Sequence, residues 1–368
     1  MNETAARAQG ARLQGWCFVT RKYPPAVGGM ERLSYEVTTR LSNRVPVTVV
    51  AMQPRAMRLP GFLVIAAIRL FVGCATRRVT LVHLGDAVLA PLALIPRAFG
   101  LPTVVTLHGL DVVHGSAVYR IWRKLFLRGF DHYVCNSEAT LAAATAAGVP
   151  AERTSVIGVG VDVPEPLPVP ATRDMNCLLF VGRLVRRKGL AWFVADVLPA
   201  LAARHPGLYV AVLGDGPERA SIIAAAQRAG VQDRLRWLGA LSDADKAAWL
   251  ARAAICVMPN VQVENDLEGY GIVALEGAAA GCAVVAADID GLRAAVDDGR
   301  SGTLVPSADA SAWIRALDAR LCDASATIRA GEAAREHVRE NRGWNEIIDA
   351  HERLFARIAA EATLRCAR

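Results

Sequence analysis

The sequence predicts an α/β protein built from two doubly wound domains, and three observations carry that expectation. Short apolar runs alternate with segments of helical periodicity in both halves. Between the halves, VDVPEPLPVPATRD (161–174) holds four prolines in fourteen residues, which suits neither a continued helix nor a central strand. The length of 368 residues also exceeds the roughly 250 to 300 at which single cores stop growing. At 53% hydrophobic and 21% charged, the composition is that of a globular chain able to bury two cores.

Taken in order, WCFVT (16–20), VPVTVVA (45–51), VTLVHLG (79–85), PTVVTLH (102–108) and HYVCNS (132–137) read as buried parallel strands. Between them GMERLSYEVTTRLS, the 87–98 segment and SEATLAAATAAG read as helices. After the proline-rich linker the pattern restarts with NCLLFVG (176–182), LYVAVLG (208–214), RLRWLG (234–239), AICVMP (254–259) and CAVVAA (282–287). The expected divisions are a first domain at 1–165, a second at 175–345 and a helix at 346–368 that packs back across the domains. Ligands of such sheets collect beyond the carboxyl ends of the strands, so chemistry is expected in a cleft that both domains face.

The net charge of +7 is unevenly spread. Residues 1–165 carry 18 Lys+Arg against 10 Asp+Glu, and the remainder 24 against 25. A basic first half suits an anionic surface or acidic partner. Nucleic acid is not expected, because no binding motif or aromatic-interleaved basic patch accompanies the charge. The eight cysteines are scattered without a CxxC pair or a zinc spacing, as for reduced, mostly buried thiols in a cytosolic protein. MNETAARAQGARLQGWCFVT has no apolar core before a small-residue cleavage site, so no signal peptide is expected. LPGFLVIAAIRLFVGCAT (59–76) is marginal in length for a membrane span and is interrupted by Arg69; it suits lying on a membrane better than crossing one. YRIWRKLFLRGF (119–130) sets Arg120, Arg123, Lys124 and Arg128 at helical spacing among apolar residues, a second candidate for an anionic membrane surface.

Several strand ends carry polar residues or glycines. Gly28 and Gly29 precede a helix, where backbone N–H groups could receive an anion, although a Gly-Gly turn is also ordinary loop chemistry. His108 follows a strand and is followed by Gly109 and Asp111. CNSEA (135–139) reads as a helix cap. Arg183 stands just past one strand and Lys188 one loop further; a cation about 4 Å from a diphosphate interacts by about 4 kcal/mol at an effective dielectric near 20, before desolvation. Arg186 and Arg187 read as exposed loop charges. Gly214 and Asp215 open a glycine-flanked turn against which a base or ribose could rest. In EGYGIVALEG (268–277), Gly271 starts a helix, Ile272 and Val273 offer first-turn N–H groups, and Glu268 and Glu276 flank them with carboxylates suited to sugar diols.

In order along the chain, PPAVGGMERL, TLHGLD, CNSE, GRLVRRKGL, LGDGPE, the E-x7-E pair and DDGRSGTLVP resemble glycosyltransferase family 4, retaining enzymes of GT-B architecture with two Rossmann-like domains facing an interdomain cleft. The resemblance implies that Glu276 binds the donor ribose, Glu268 the transferred sugar, and Arg183 and Lys188 the diphosphate. It implies contacts from Gly271, Ile272 and Val273 to phosphate or sugar, from Gly29 to the same group, and from His108 to the sugar near the reacting centre. In ADIDGLRAAVDDGRSG the family commonly has a second glycine, then proline and glutamate, where this chain has Asp290, Arg293 and Ala294. DID (288–290) also matches the metal-binding DxD of another glycosyltransferase architecture, but its surroundings fit the metal-independent GT-B pattern.

The implied activity is hexosyl transfer from a nucleoside diphosphate sugar to an acceptor hydroxyl, with no further cofactor, in synthesis of a lipid-linked, lipopolysaccharide or exopolysaccharide glycan. The implied partners are the nucleotide-sugar donor, a glycan or lipid-linked acceptor, and an anionic membrane surface met by the N-terminal domain. The expected location is cytoplasmic, with peripheral attachment to the inner face of the cytoplasmic membrane left open. A nucleotide-sugar epimerase or hydrolase and a non-catalytic sugar-binding partner subunit remain as other readings.

Overall fold

The structure, a computed structural model, describes residues 15–26, 28–52, 58–113, 117–164 and 173–366. The chain forms two compact units, one of residues 1–136, 140–157 and 348–368 and the other of 137–139 and 158–347.

The first unit holds a six-stranded parallel sheet of β1 (Gly15–Thr20), β2 (Val47–Ala51), β3 (Val79–Leu84), β4 (Thr103–Leu107), β5 (His132–Cys135) and β6 (Thr154–Val156), in the order β2-β1-β3-β4-β5-β6. Strands β4 and β5 are buried along their whole length, as expected of parallel strands covered on both faces. In register, Phe18 stands between Val49 and His83. The helix Leu59–Ala75 turns Phe62, Ala66, Leu70 and Cys74 inward at four-residue spacing. Ile348 and the residues after it in the helix Trp344–Cys366 belong to this unit, where Phe355 meets Trp16 at 5.4 Å and Phe18 at 5.8 Å between ring centroids.

The second unit holds β7 (Asp174–Val181), β8 (Tyr209–Leu213), β9 (Leu235–Gly239), β10 (Ala253–Met258), β11 (Ala283–Ala287) and β12 (Thr303–Val305), all parallel and ordered β12-β11-β10-β7-β8-β9. Counted within the unit this is the Rossmann order, with its reversal between β7 and β10. The reversal parts the connecting loops at the carboxyl ends of these two strands, which opens room for a ligand there.

The ten strands expected from the sequence all form. The segment 87–98 expected as one helix is instead a 3-10 helix, Ala87–Ala93, followed by a short α-helix, Leu94–Ala98. Pro91 and Pro96 lack the N–H that a continuous α-helix would use, so the segment breaks. β6 and β12 escaped the sequence reading; each is a three-residue edge strand, too short to stand out as an apolar run. Of the proline-rich linker, residues 165–172 lie outside the described residues. No helix among the described residues is long and apolar enough to cross a membrane.

Candidate active site

In the second unit, the loop after β7 and the loop after β10 meet. Gly189 makes the meeting close: it sits at φ 67°, and a Cβ there would fall 1.9 Å from the Pro259 carbonyl oxygen. The 3-10 turn Arg186–Lys188 just before it carries Lys188 into the contact. Lys188 Nζ stands 2.7 Å from Glu268 Oε2, and Asn260 Nδ2 donates to the same oxygen at 2.9 Å. Arg187 Nε lies 3.5 Å from it, while Arg187 Nη1 holds Asp266 at 2.9 Å. Lys188, Asn260 and Glu268 are all buried. Burial would raise the Glu268 carboxyl, but Lys188 above all, with Arg187 and Asn260, holds it below its ordinary value. A charged carboxylate is thereby kept ready to accept hydroxyl hydrogens.

The backbone beyond Glu268 is braced at both ends. Gly291 N–H donates to the Glu268 carbonyl at 3.0 Å, and the Glu268 N–H donates to Asp290 Oδ2 at 3.3 Å. Asp290 adopts φ 46°, the left-handed region that a glycine would enter without strain. Gly271, at φ 82°, then turns the chain into the helix Ile272–Ala279. Ile272 and Val273 are first-turn residues, so their N–H groups have no acceptor within the helix and mark its positive end. Glu276, buried on that helix, is held by Lys246 Nζ at 2.9 Å. Lys188 also lines a cavity of about 360 Å³ with Val185, Trp192, Glu218 and Val261.

Other expected residues take different positions. Arg183 is exposed and makes no ion pair among the described residues. Gly214 (φ 139°) approaches the β7 loop so closely that a Cβ would lie 2.0 Å from the Gly182 carbonyl oxygen. Exposed Asp215 accepts from the Gly216 N–H at 2.8 Å, and its backbone carbonyl accepts from Leu184 N–H at 2.9 Å. Arg187, read from the sequence as an exposed loop charge, is instead drawn inward by Asp266 and Glu268; only Arg186 stays exposed. In DID, Asp288 is paired with Arg293 at 2.5 Å and Asp290 serves the Glu268 amide.

His108, Gly28 and Gly29 belong to the first unit. His108 is buried with its Nε2 3.1 Å from the Gly85 carbonyl oxygen, and its backbone N–H donates to Asp111 Oδ2 at 3.0 Å. It lines a cavity of about 30 Å³ with Thr20, His83, Thr106, Asn136 and His351, room for a water or two. Gly28 precedes the helix Gly29–Ser42, and the Glu31 carboxylate lies so close over it that a Cβ would come within 2.3 Å of Oε2. Lys22 Nζ holds that carboxylate at 3.2 Å, so an anion arriving at this helix start would have to displace Glu31.

Two family patterns cover most of the chain. The one described as "Glycosyltransferase Family 4" matches residues 27–165, and the one described as "Glycosyl transferases group 1" matches residues 176–323. The chain belongs to glycosyltransferase family 4. Over 177 residues this family 4 chain is 38% identical to phosphatidyl-myo-inositol mannosyltransferase of Mycolicibacterium smegmatis, a match spanning 48% of this chain and 43% of that one. A match to glycogen synthase of Mycobacterium tuberculosis, 33% identical, likewise spans 48% of this chain and 42% of the relative. The chain thus spans under half the length of these two curated relatives. GDP-mannose-dependent alpha-(1-6)-phosphatidylinositol monomannoside mannosyltransferase of Mycobacterium tuberculosis is 28% identical over 89% of this chain and 94% of its own length. Among solved structures, sucrose-phosphate synthase of Thermosynechococcus elongatus superposes with a TM-score of 0.76 at 21% identity, covering 95% of this chain and all of that one. HepE of Anabaena in complex with UDP gives 0.73 at 19% identity, over 93% and 100%. These likenesses and the two six-stranded parallel sheets make the fold a two-domain, Rossmann-like GT-B fold.

The candidate site contains residues that the sequence does not single out. Asn260 stands two residues past β10, and a polar residue near a strand's carboxyl end was the available signal. Lys246 gave none, because a lysine in the amphipathic helix Asp243–Arg252 reads as solvated. Nor did spacing reveal His205, Asp318 and Cys322, whose ligand-type atoms lie within 4.8 Å of one another. Both Asp318 oxygens are already engaged there, one by His205 at 2.8 Å and one by Arg204 at 2.9 Å. Cys17, Cys74, Cys135, Cys177, Cys256 and Cys282 are buried and Cys322 is exposed, and none of these seven is in a disulfide.

Proposed function

We propose that the chain transfers a hexosyl group from a nucleoside diphosphate sugar to an acceptor hydroxyl with retention of configuration. The glycan being built is lipid-linked, lipopolysaccharide or exopolysaccharide. The observation that carries this reading is the buried Lys188–Glu268 pair at the reversal point of the second sheet, three residues before the glycine that opens a helix. An ammonium has three N–H donors, so Lys188 can keep Glu268 and still offer two to a diphosphate. Arg183 and the Ile272 and Val273 N–H groups would meet the remaining negative charge, which makes the reaction metal-independent. Glu268 would accept hydroxyls of the transferred sugar, Glu276 those of the ribose, and Gly214 and Asp215 would flank the nucleoside.

As the bond from the sugar's anomeric carbon to the phosphate oxygen breaks, that oxygen takes the acceptor's proton, and the acceptor oxygen forms the new bond on the same face. Lys188 and Arg183 stabilise the charge on the departing diphosphate. By the family resemblance, His108 would contact the sugar, and Gly28 and Gly29 the phosphate. The relatives' names make GDP-mannose and an inositol-lipid acceptor the first pair to try, and the basic first half suits an acceptor held at an anionic membrane.

Thermal-shift screening with UDP-, GDP- and ADP-sugars tests the reading, since a ligand that binds only the folded state raises its melting temperature. One donor class is expected to do so, with the shift lost in Lys188→Ala and Glu276→Ala. No shift with any donor, or an undiminished shift in both variants, would overturn it. Donor turnover at full rate without acceptor would favour a hydrolase or epimerase.

A further inference from the structure

The helix Leu59–Ala75 is apolar on two opposite sides. Phe62, Ala66, Leu70 and Cys74 face the core, and at 3.6 residues per turn Val64, Ile65, Ile68, Phe71 and Val72 fall on the far side. That far side is exposed: Val64 retains 60% of its accessible surface, Ile68 58% and Phe71 56%. Phe99, whose ring lies 5.6 Å from that of Phe71, extends the patch beyond the helix, and Leu94, on the short helix packed beside it, is exposed as well. Single exposed apolar residues are ordinary, but a contiguous set of this size marks a contact surface.

The charge around the helix selects the partner. Between Glu36 and Asp111 the only acidic residue is Asp86, which is buried and paired with Arg21 at 2.9 Å; the same stretch carries eight arginines. Arg58 caps the start of the helix, Arg69 lies within it, and Arg77 and Arg78 follow its end. All four are exposed and make no ion pair among the described residues. Seventeen residues rise only about 25 Å, short of the roughly 30 Å of a bilayer's hydrocarbon core. An apolar ridge of this length, with cations at both ends and no acidic residue in its own stretch of sequence except buried Asp86, fits the plane of an anionic lipid surface.

We propose that the outer face of the helix Leu59–Ala75, with Leu94 and Phe99, is a membrane-docking surface that buries its apolar side chains among acyl chains while its arginines meet anionic headgroups. This deepens the membrane part of the proposed function and rests on it; sugar transfer is separable. The segment 119–130 is a weaker candidate than its sequence promised. Its helix Ala117–Trp122 runs into a π-helical turn at Arg123–Leu127, and Arg123 is tied to the Val112 carbonyl instead of presented outward.

The test is sedimentation of the full chain with vesicles of phosphatidylcholine containing phosphatidylglycerol, and with phosphatidylcholine alone, at low and high salt. The wild type is expected to bind the anionic vesicles at least tenfold better than the neutral ones, with loss at high salt. Ile68→Glu/Phe71→Glu should lower that binding tenfold or more, while Ile328→Glu, on an exposed residue of the second unit, leaves it unchanged. Melting temperatures near wild type in these variants show that folding is intact. Absence of vesicle binding by the wild type, or unreduced binding by the double variant, overturns the proposal. So does a wild-type dimer in size-exclusion chromatography that the double variant makes monomeric, because the patch would then join two copies. The nucleotide-sugar thermal shift is read separately on the same proteins. Its absence with intact vesicle binding would sink the transferase reading and leave the docking surface standing.

Discussion

Lys188 and Glu268 form a buried ion pair at 2.7 Å between two loops that follow different strands of one sheet. Removing one partner leaves the other charge buried and unpaired, so Lys188→Ala and Glu268→Ala should each cost about 3 kcal/mol in urea denaturation. The double variant should lose less than the sum of the two, by about 1 to 3 kcal/mol. Additive losses would show that the two side chains act independently. The pair also has a pH signature. The folded Glu268 carboxyl titrates below its ordinary 4.5, so the pair's contribution is complete above that pH and is lost as pH falls through the lower folded value.

In the first unit, His83 and Asp111 should oppose each other as pH changes. Burial, with His351 and His108 nearby, lowers His83 from 6.5 to about 3. The unfolded chain therefore binds the extra proton first, and stability falls as pH drops through that window by up to about 1.4 kcal/mol per unit. Asp111 is raised from 3.8 to about 6, chiefly by burial, with Asp86 adding to it and His108 and Arg21 opposing. Its folded form takes the proton first, so stability rises as pH drops from 6 toward 3.8. Between pH 7 and pH 5, His83→Gln should lose about 2 kcal/mol less than the wild type, and Asp111→Asn about 1 kcal/mol more. Urea midpoints at the two pH values check this, and equal slopes in all three proteins would refute it.

Gly271 and Gly230 separate backbone strain from steric conflict. Both have positive φ, at 82° and 66°. A Cβ at Gly230 meets nothing within 4 Å, whereas at Gly271 it would lie 2.3 Å from Cδ2 of the fully buried Leu292. Gly230→Ala should cost about 1 kcal/mol, the left-handed penalty alone. Gly271→Ala should cost about 3 kcal/mol or more in urea, because Leu292 has no room to yield. It should also shrink the nucleotide-sugar thermal shift by displacing the start of the helix at Ile272. Equal costs at the two glycines would show that Leu292 repacks freely.

Much of this was legible in the chain itself. Runs such as NCLLFVG and AICVMP are apolar along their whole length because parallel strands are covered on both faces, so their positions showed without coordinates. Lys188 and Glu268 could be singled out because each lies in a loop beyond a strand, next to glycines that permit close approach. The edge strands Thr154–Val156 and Thr303–Val305 could not, since three residues of pairing leave no periodicity. The inward turn of Arg187 is illegible for a related reason: a run of three basic residues looks solvated until the loop carrying Asp266 is folded against it.

The sequence alone determined the alternation of strands and helices and the order of glycine-marked strand ends, because each depends on residues close together along the chain. Tertiary structure decided which carboxylate each lysine meets: Lys188 takes Glu268 and Lys246 takes Glu276. It also decided that one side of the helix Leu59–Ala75 stays uncovered. Such pairings and exposures depend on which loops the strand order brings side by side, and local periodicity carries no record of that.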